Sequence, residues 1–207
     1  MSSARVEPAL RALIASGGKP DIRSLLEDML AGGERPEALA ELMRGEIRTL
    51  CGDLISGRTF LTESLLPAHY VLEGQRWLRE TGALKEEAPA LLMGCMGSAY
   101  ASPYHSALRI FAEALGHPVT ELGCGLGHDG PEALWAAHPG AMGLILYDGG
   151  LCASRRGPGP SYSVCCMGRS RVFTALPGGP ALPPDELLRR PLPPDLGLMI
   201  RLAVLLG

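Results

Sequence analysis

The sequence predicts an α/β protein in which a small helical bundle precedes a Rossmann-like (flavodoxin-like) parallel sheet with flanking helices. Three observations support this. Apolar residues recur at helical spacing from Asp21 to Thr81. After Ala88, strand-length apolar runs alternate with helical segments. Of the 207 residues, 46% are hydrophobic, which is enough to bury a substantial core. We expect a helical bundle over residues 1–84 and a Rossmann-like domain over residues 85–207, joined by the acidic segment ETGALKEEAPA.

The helical part is predicted from apolar positions three and four residues apart. A first helix covers IRSLLEDML and ends at a pair of glycines. A second begins at Pro36, where the missing N–H of proline costs nothing, and ends at Gly57. The segment RTFLTESLLPAHYVLEGQRWL predicts a further pair of helices, with Thr59 or Thr62 as the N-cap.

The second part alternates strands and helices, as parallel sheets with right-handed crossovers do. The strands are APALLMGCM, HPVTELG, AMGLILYDGG and SRVFTALPGG; the helices are SALRIFAEALG, closed by Gly116, and GPEALWAAHPG. Between the last two strands, LCASRRGPGPSYSVCCMGRS carries glycine and proline where they break helices, so no crossover helix is evident there. Because open α/β sheets bind ligands at the carboxyl ends of their strands, we expect the site at that edge.

Composition excludes several classes of partner. The net charge is −3, basic residues are scattered and only 5% of residues are aromatic, so we expect no nucleic-acid partner. The N-terminal segment lacks the apolar core of a secretory signal, and no apolar run approaches a membrane span, so we expect a cytoplasmic protein without a membrane partner. The 6 cysteines lack the spacing of a secreted scaffold and are expected to be thiols or ligands.

Both parts together resemble the corrinoid (cobalamin) binding proteins, which include the methyl carriers of methyltransferase systems and the cobalamin module of methionine synthase. The segment CGDLISGRTFLTE resembles the family's GDLFEEGEIFLPE segment in the helical part. In the α/β part, ALRIFAEALGHPVTELG resembles the family's first helix and second strand. Gly178-Gly179 in ALPGGPALPPDELL resembles its Gly-Gly at the fourth strand. The resemblance runs from Asp21 onward and depends mainly on the order of the elements.

The motif that supplies a cobalt ligand in this family is lost. The family uses the histidine of Asp-x-His-x-x-Gly, and these three positions fall on Ala99, Ala101 and Tyr104. The family serine that meets the nucleotide tail of cobalamin falls on Ile145 or Leu146. These replacements remove a hydrogen-bond donor, a metal ligand and the space through which the nucleotide tail would enter. The resemblance therefore implies a corrinoid held without the usual histidine, with the cofactor's own tail base or water on that face of cobalt.

Candidate contacts with the cofactor lie around the strand ends and on the covering helix. His105 is the imidazole in the segment after the first strand and the candidate metal ligand, although a lone histidine in a first helical turn more often has a structural role. His69 lies on the helix that covers the upper cobalt face in the family, and its alternative is an ordinary amphipathic helix position. The set of candidate cofactor-binding residues is Ser102, Tyr104, His105, Tyr147, Asp148, Gly178, Gly179 and His69.

The resemblance implies a cobalamin carrier for partner methyltransferases more than a stand-alone enzyme, since no side chains are arranged as a nucleophile with its base. Two alternatives remain. One is a sensor or regulatory module of the same fold that binds haem or another tetrapyrrole, or signals through its thiols. The other is a protein that acts through protein contacts alone. The lost tail-binding positions favour a sensor, whereas the retained cap helices favour a planar cofactor.

Overall fold

The computed structural model describes residues 21–84, 90–96, 103–123, 137–148, 171–175 and 184–206, together with Pro8 and Ala12, with the backbone alone at 95–96, 103–104, 146–148, 171–175 and 206. A helical region precedes a Rossmann-like α/β region, which confirms the predicted fold class. In chain order the elements are α1 (Ile22–Ala31), α2 (Pro36–Ile55), α3 (Leu61–Glu80), β1 (Leu91–Met96), α4 (Pro103–Ala114), β2 (Val119–Glu121), β3 (Gly143–Asp148), β4 (Arg171–Ala175), α5 (Pro184–Leu187) and α6 (Pro194–Leu206).

The chain forms two compact units. The helical unit comprises residues 1–88 and 107–118, and the sheet unit comprises residues 89–106 and 119–207. Helix α4 contributes to both, because the division falls between its residues Ser106 and Ala107. The two domains that the sequence predicts, 1–84 and 85–207, stay a prediction.

The side chain of Asp21 caps the N-terminal end of helix α1. The Oδ1 atom accepts hydrogen bonds from the backbone N–H groups of Arg23 at 3.1 Å and Ser24 at 3.3 Å. The Ser24 hydroxyl donates to Oδ2 at 2.6 Å. This hydroxyl bond first, and then the backbone bonds, lower the pKa of Asp21, because each stabilises the ionised carboxylate. The cap therefore satisfies N–H groups that a helix start otherwise leaves without partners.

Local signals place the ends of α1 and α2 as expected. Gly33 after α1 has φ +90° and Gly57 after α2 has φ +73°, conformations that glycine adopts without a Cβ clash. Pro36 is the first residue of α2. The predicted breaks and the predicted helix start are confirmed.

Helix α3 differs from the sequence-based expectation in two ways. It is one continuous helix through Pro67, where a pair of helices was expected. Its N-cap is Phe60, so the expectation of Thr59 or Thr62 is wrong. The Glu63 carboxylate accepts from both the Phe60 backbone N–H and the Thr59 hydroxyl, each at 3.1 Å, and so replaces a hydroxyl cap. The buried side chains that continue beyond the proline, and whose packing offsets the lost hydrogen bond, are Ala68, Val71, Leu72 and Leu78.

The core of the helical unit forms where α3 lies close to α1 and α2. At Gly74 of α3, a Cβ atom would lie 2.9 Å from Ile22 Cδ1 and 3.0 Å from Met43 Sδ. Glycine is thus the residue that allows this approach of the backbone. The fully buried large side chains of the unit include Ile22, Leu26, Leu39, Met43, Ile47, Leu78, Leu108 and Phe111.

The C-terminal end of α4 is held by polar side chains of α3. The buried Gln75 donates through Nε2 to the Ala114 carbonyl, and Arg79 donates to the Gly116 carbonyl at 3.3 Å. Gly116 has φ +93° and closes the helix, as the sequence predicts. These bonds satisfy carbonyls that the end of a helix leaves unpaired.

The sheet has the strand order β2-β1-β3-β4. β1 pairs in parallel with β2 and with β3, as expected, but β4 is antiparallel to β3, so the expectation of an all-parallel sheet fails at this strand. An antiparallel neighbour needs no crossover helix, and the sequence between β3 and β4 carries the glycine and proline that break helices. That segment, and most of the predicted helix GPEALWAAHPG, lies outside the described residues.

Helix α6 packs against β3 and β4, and α5 contacts β4. The contact is close at Gly143, where a Cβ atom would lie 2.6 Å from Leu196 Cδ1. Met199, Ile200 and Leu202 of α6 are fully buried. None of the helices in the described ranges combines the length and apolar character that crossing a membrane requires.

Candidate functional site

The carboxyl ends of β1 and β3 lie side by side. The register pairs Cys95 with Tyr147 and Met96 with Asp148, and we call these four residues the carboxyl edge. The chain leaves β1 for β2 on one side, whereas β3 lies on the other side, so the edge is a topological switch point of the sheet. Ligands of doubly wound folds bind at such points. Two predicted contacts, Tyr147 and Asp148, are therefore placed together at the expected edge.

Strand β4 starts at this edge and runs away from it. Arg171 pairs with Asp148, and Ala175 pairs with Leu144 at the opposite edge of the sheet. Gly178 and Gly179 follow Ala175 and lie outside the described residues, as does Ser102. The antiparallel strand ends at the opposite edge, and the contact of those glycines with a cofactor stays a prediction.

His105 lies against a carboxylate of β2. It is the third residue of α4 and only 6% exposed, and its Nε2 atom lies 2.9 Å from Glu121 Oε2. Glu121 is the last residue of β2 and pairs in register with Met93 of β1. Tyr104 precedes His105 in the first turn of α4. The sequence singled out His105 but not Glu121, because two residues so far apart in the chain give no local signal of their contact.

No metal site is formed by side chains in the described parts of the chain, where no group of three or more histidine, cysteine, aspartate or glutamate residues is placed to hold an ion. Ligation of cobalt or iron through Nε2 of His105 stays a prediction, and in this structure that atom lies beside the Glu121 carboxylate. Cys51 is fully buried in α2 and is not in a disulfide. Cys124, Cys152, Cys165 and Cys166 lie outside the described residues, so the expectation that they are thiols or ligands stays a prediction.

His69 is an exposed residue of α3 in the helical unit. It lines an open groove of about 400 Å³ beside Trp77, with Arg23 of α1 contributing from the neighbouring helix. The guanidinium of Arg23 forms an ion pair with Glu73 at 3.1 Å, with both side chains about half exposed. Such exposed pairs add little stability. The structure thus places His69 on a polar helix surface, and its contact with a cofactor stays a prediction.

Phe60 is a residue that sequence analysis passed over. It is 72% exposed, and it lies in the segment CGDLISGRTFLTE, which forms the end of α2, a turn and the start of α3. Arg58 fixes this turn by donating from Nε to Asp53 Oδ1 at 2.8 Å. A large aromatic ring at an N-cap position, where small polar residues are preferred, was the signal that could have found it.

Comparisons with known proteins give a structural likeness but no family. No protein-family model matches this chain, and no curated protein matches it. Among solved structures, the chain is similar to one described as a novel cobalamin-binding protein from Desulfitobacterium hafniense DCB-2, with 17% sequence identity and a TM-score of 0.47. The match covers 59% of this chain and 59% of that one, less than two thirds of either.

Proposed function

We propose that this protein binds a corrinoid at the carboxyl edge of its sheet and uses no histidine to ligate the cobalt. The observation that carries the proposal is the strand order β2-β1-β3, which sets the ends of β1 and β3 beside one another. This is where doubly wound folds hold their cofactors. The sequences on both sides of the linker resemble the corrinoid family, which supports the proposal.

The helical unit offers a candidate contact of its own. Its resembling segment exposes the aromatic ring of Phe60, which we propose as a contact for a ligand or partner. Arg58 and Glu63 hold the turn on either side of the ring. The ring is therefore presented by a fixed local structure.

The loss of the family's histidine bears on which group would face the lower side of cobalt. The family's histidine position is Ala101, and the nearby His105 is engaged by Glu121. The cofactor would keep its own tail base or water on the lower face. When bound, cobalt supplies the methyl-transfer chemistry, while the protein supplies shelter and positioning. On this proposal the chain is a methyl carrier that serves a partner methyltransferase.

The first test is an ultraviolet–visible titration with hydroxocobalamin, methylcobalamin and hemin, followed by gel filtration. We expect cobalamin to co-elute with the protein, with a base-on or water-ligated spectrum. Asp148→Ala should weaken retention, whereas Asp185→Ala, an exposed acidic residue of α5 in the same unit, should not. Hemin retained alone would favour a haem sensor, and retention of none of the three would favour a module that acts through protein contacts.

The carrier role is tested separately from binding. A methyl carrier must hold both the methylated and the unmethylated cofactor, so methylcobalamin and hydroxocobalamin should survive gel filtration to a similar extent. Retention of hydroxocobalamin alone would leave corrinoid binding standing and overturn the carrier role.

A further inference from the structure

We infer that Glu121 is a positioning residue that holds the imidazole of His105 on the β2 side of β1 and so withholds it from the metal of a cofactor at the carboxyl edge. The inference rests on the proposed function for its consequence, but the contact itself is a property of the sheet unit. Glu121 was not among the residues that the sequence singled out.

The direction of the histidine follows from the strand order. β2 and β3 flank β1 on opposite sides, and the carboxyl edge is formed by β1 and β3. The Nε2 atom of His105 lies 2.9 Å from a carboxylate oxygen of β2. Moreover, Glu121 is in register with Met93, three residues before the last residue of β1, Met96. The imidazole therefore lies toward β2, on the side of β1 away from β3, and about three residues before the carboxyl end of β1.

Burial makes this contact, which we call the latch, costly to break. The side chain of His105 is 8% exposed, whereas that of Glu121 is 40% exposed. When Nε2 carries a proton, an ionised carboxylate attracts it more strongly than a neutral oxygen does. Removing the carboxylate takes this partner from a buried nitrogen, and the penalty falls mainly on the histidine. The start of α4 is anchored to β2 by the same contact.

The latch itself is tested without any cofactor, by exchange of the His105 C2 hydrogen in deuterated water, followed by mass spectrometry of the peptide. We expect slow exchange in the unaltered protein and an increase of about tenfold in Glu121→Ala, which removes the carboxylate partner. Glu121→Gln should restore part of the protection, because the amide keeps an oxygen beside the imidazole while it loses the charge. Unchanged exchange in Glu121→Ala would overturn the latch.

The consequence for the metal is tested with cobinamide, a corrinoid without a tail base, bound and reduced to the cobalt(II) state. Any nitrogen coupling in its electron paramagnetic resonance spectrum then comes from the protein. We expect none in the unaltered protein, and we expect Glu121→Ala to produce coupling that His105→Ala in the same chain abolishes. Coupling that is already present in the unaltered protein and is lost in His105→Ala would overturn the inference.

The two proposals fail in different ways. If no corrinoid is retained, the proposed function fails, while histidine exchange still decides whether Glu121 holds His105. If corrinoid is retained but Glu121→Ala leaves the exchange rate of the His105 C2 hydrogen unchanged, the latch is wrong and the proposed function stands.

Discussion

Single side chains in this protein owe their roles to partners far away in the chain. His105 in the first turn of α4 meets Glu121 at the end of β2, and Gln75 of α3 reaches the carbonyl of Ala114. Both His105 and Gln75 are buried polar groups, which are tolerated when they have polar partners. Their partners determine whether each is a ligand, a clamp or a core residue.

Replacing Phe60 should affect ligand retention without affecting the free energy of unfolding. Because its ring is 72% exposed, Phe60→Ala removes little buried area, and we expect the free energy of unfolding to change by less than about 0.5 kcal/mol. If the ring contacts the proposed corrinoid, retention should fall, as measured by gel filtration after loading with hydroxocobalamin.

Leu66→Ala provides the control for this variant, since Leu66 lies on the same helix and is 44% exposed. It should leave both stability and retention unchanged. Equal retention in the two variants would remove Phe60 from the candidate site.

At the scale of elements, glycines decide how closely backbones approach. Gly74 lies where α3 meets α1 and α2, and Gly143 lies where β3 meets α6. The helix propensity of glycine is poor, so its presence inside α3 is explained by packing and not by local preference. The continuous course of α3 through Pro67 has the same origin, because buried contacts on both sides outweigh one missing hydrogen bond.

Gly74→Ala and Gly45→Ala should act in opposite directions. A Cβ at Gly74 would crowd three buried side chains at 2.9–3.1 Å, so we expect overpacking to exceed the gain in propensity and to lower stability by about 1 kcal/mol. At Gly45 of α2 nothing lies within 4 Å, and alanine should raise stability by up to about 1 kcal/mol. Chemical denaturation measures both. If Gly74→Ala raised the stability, the neighbouring side chains would have to move away from the new Cβ atom at little cost.

For the whole molecule, the important feature is that α4 supplies residues to both units. Residues 107–118 belong to the helical unit, in which Leu108 and Phe111 are fully buried. Burying each such side chain contributes about 1.5–3 kcal/mol. The helical unit is therefore incomplete without a segment that comes after β1 in the chain.

We accordingly expect a fragment of residues 1–84 not to unfold cooperatively, because it lacks α4 and leaves the buried Gln75 without its carbonyl acceptor. Thermal circular dichroism of the fragment and the full chain measures this. In the full chain, Gln75→Leu should lower stability by about 1–3 kcal/mol through the unpaired carbonyl. A cooperative transition of the fragment at the midpoint of the full chain would show that the bundle folds without α4.

The sequence by itself determined α1, α2, α4 and the four strands in their order, the glycine ends of α1 and α2, the proline start of α2 and the cap at Gly116. Each of these depends on spacing or backbone preference among neighbouring residues, which sequence patterns record. It also placed Tyr147 and Asp148 at the end of a strand. Only the tertiary structure decided the antiparallel direction of β4, the single course of α3 and the engagement of His105 by Glu121. These depend on burial and pairing between residues distant in the chain, for which the local sequence carries no signal.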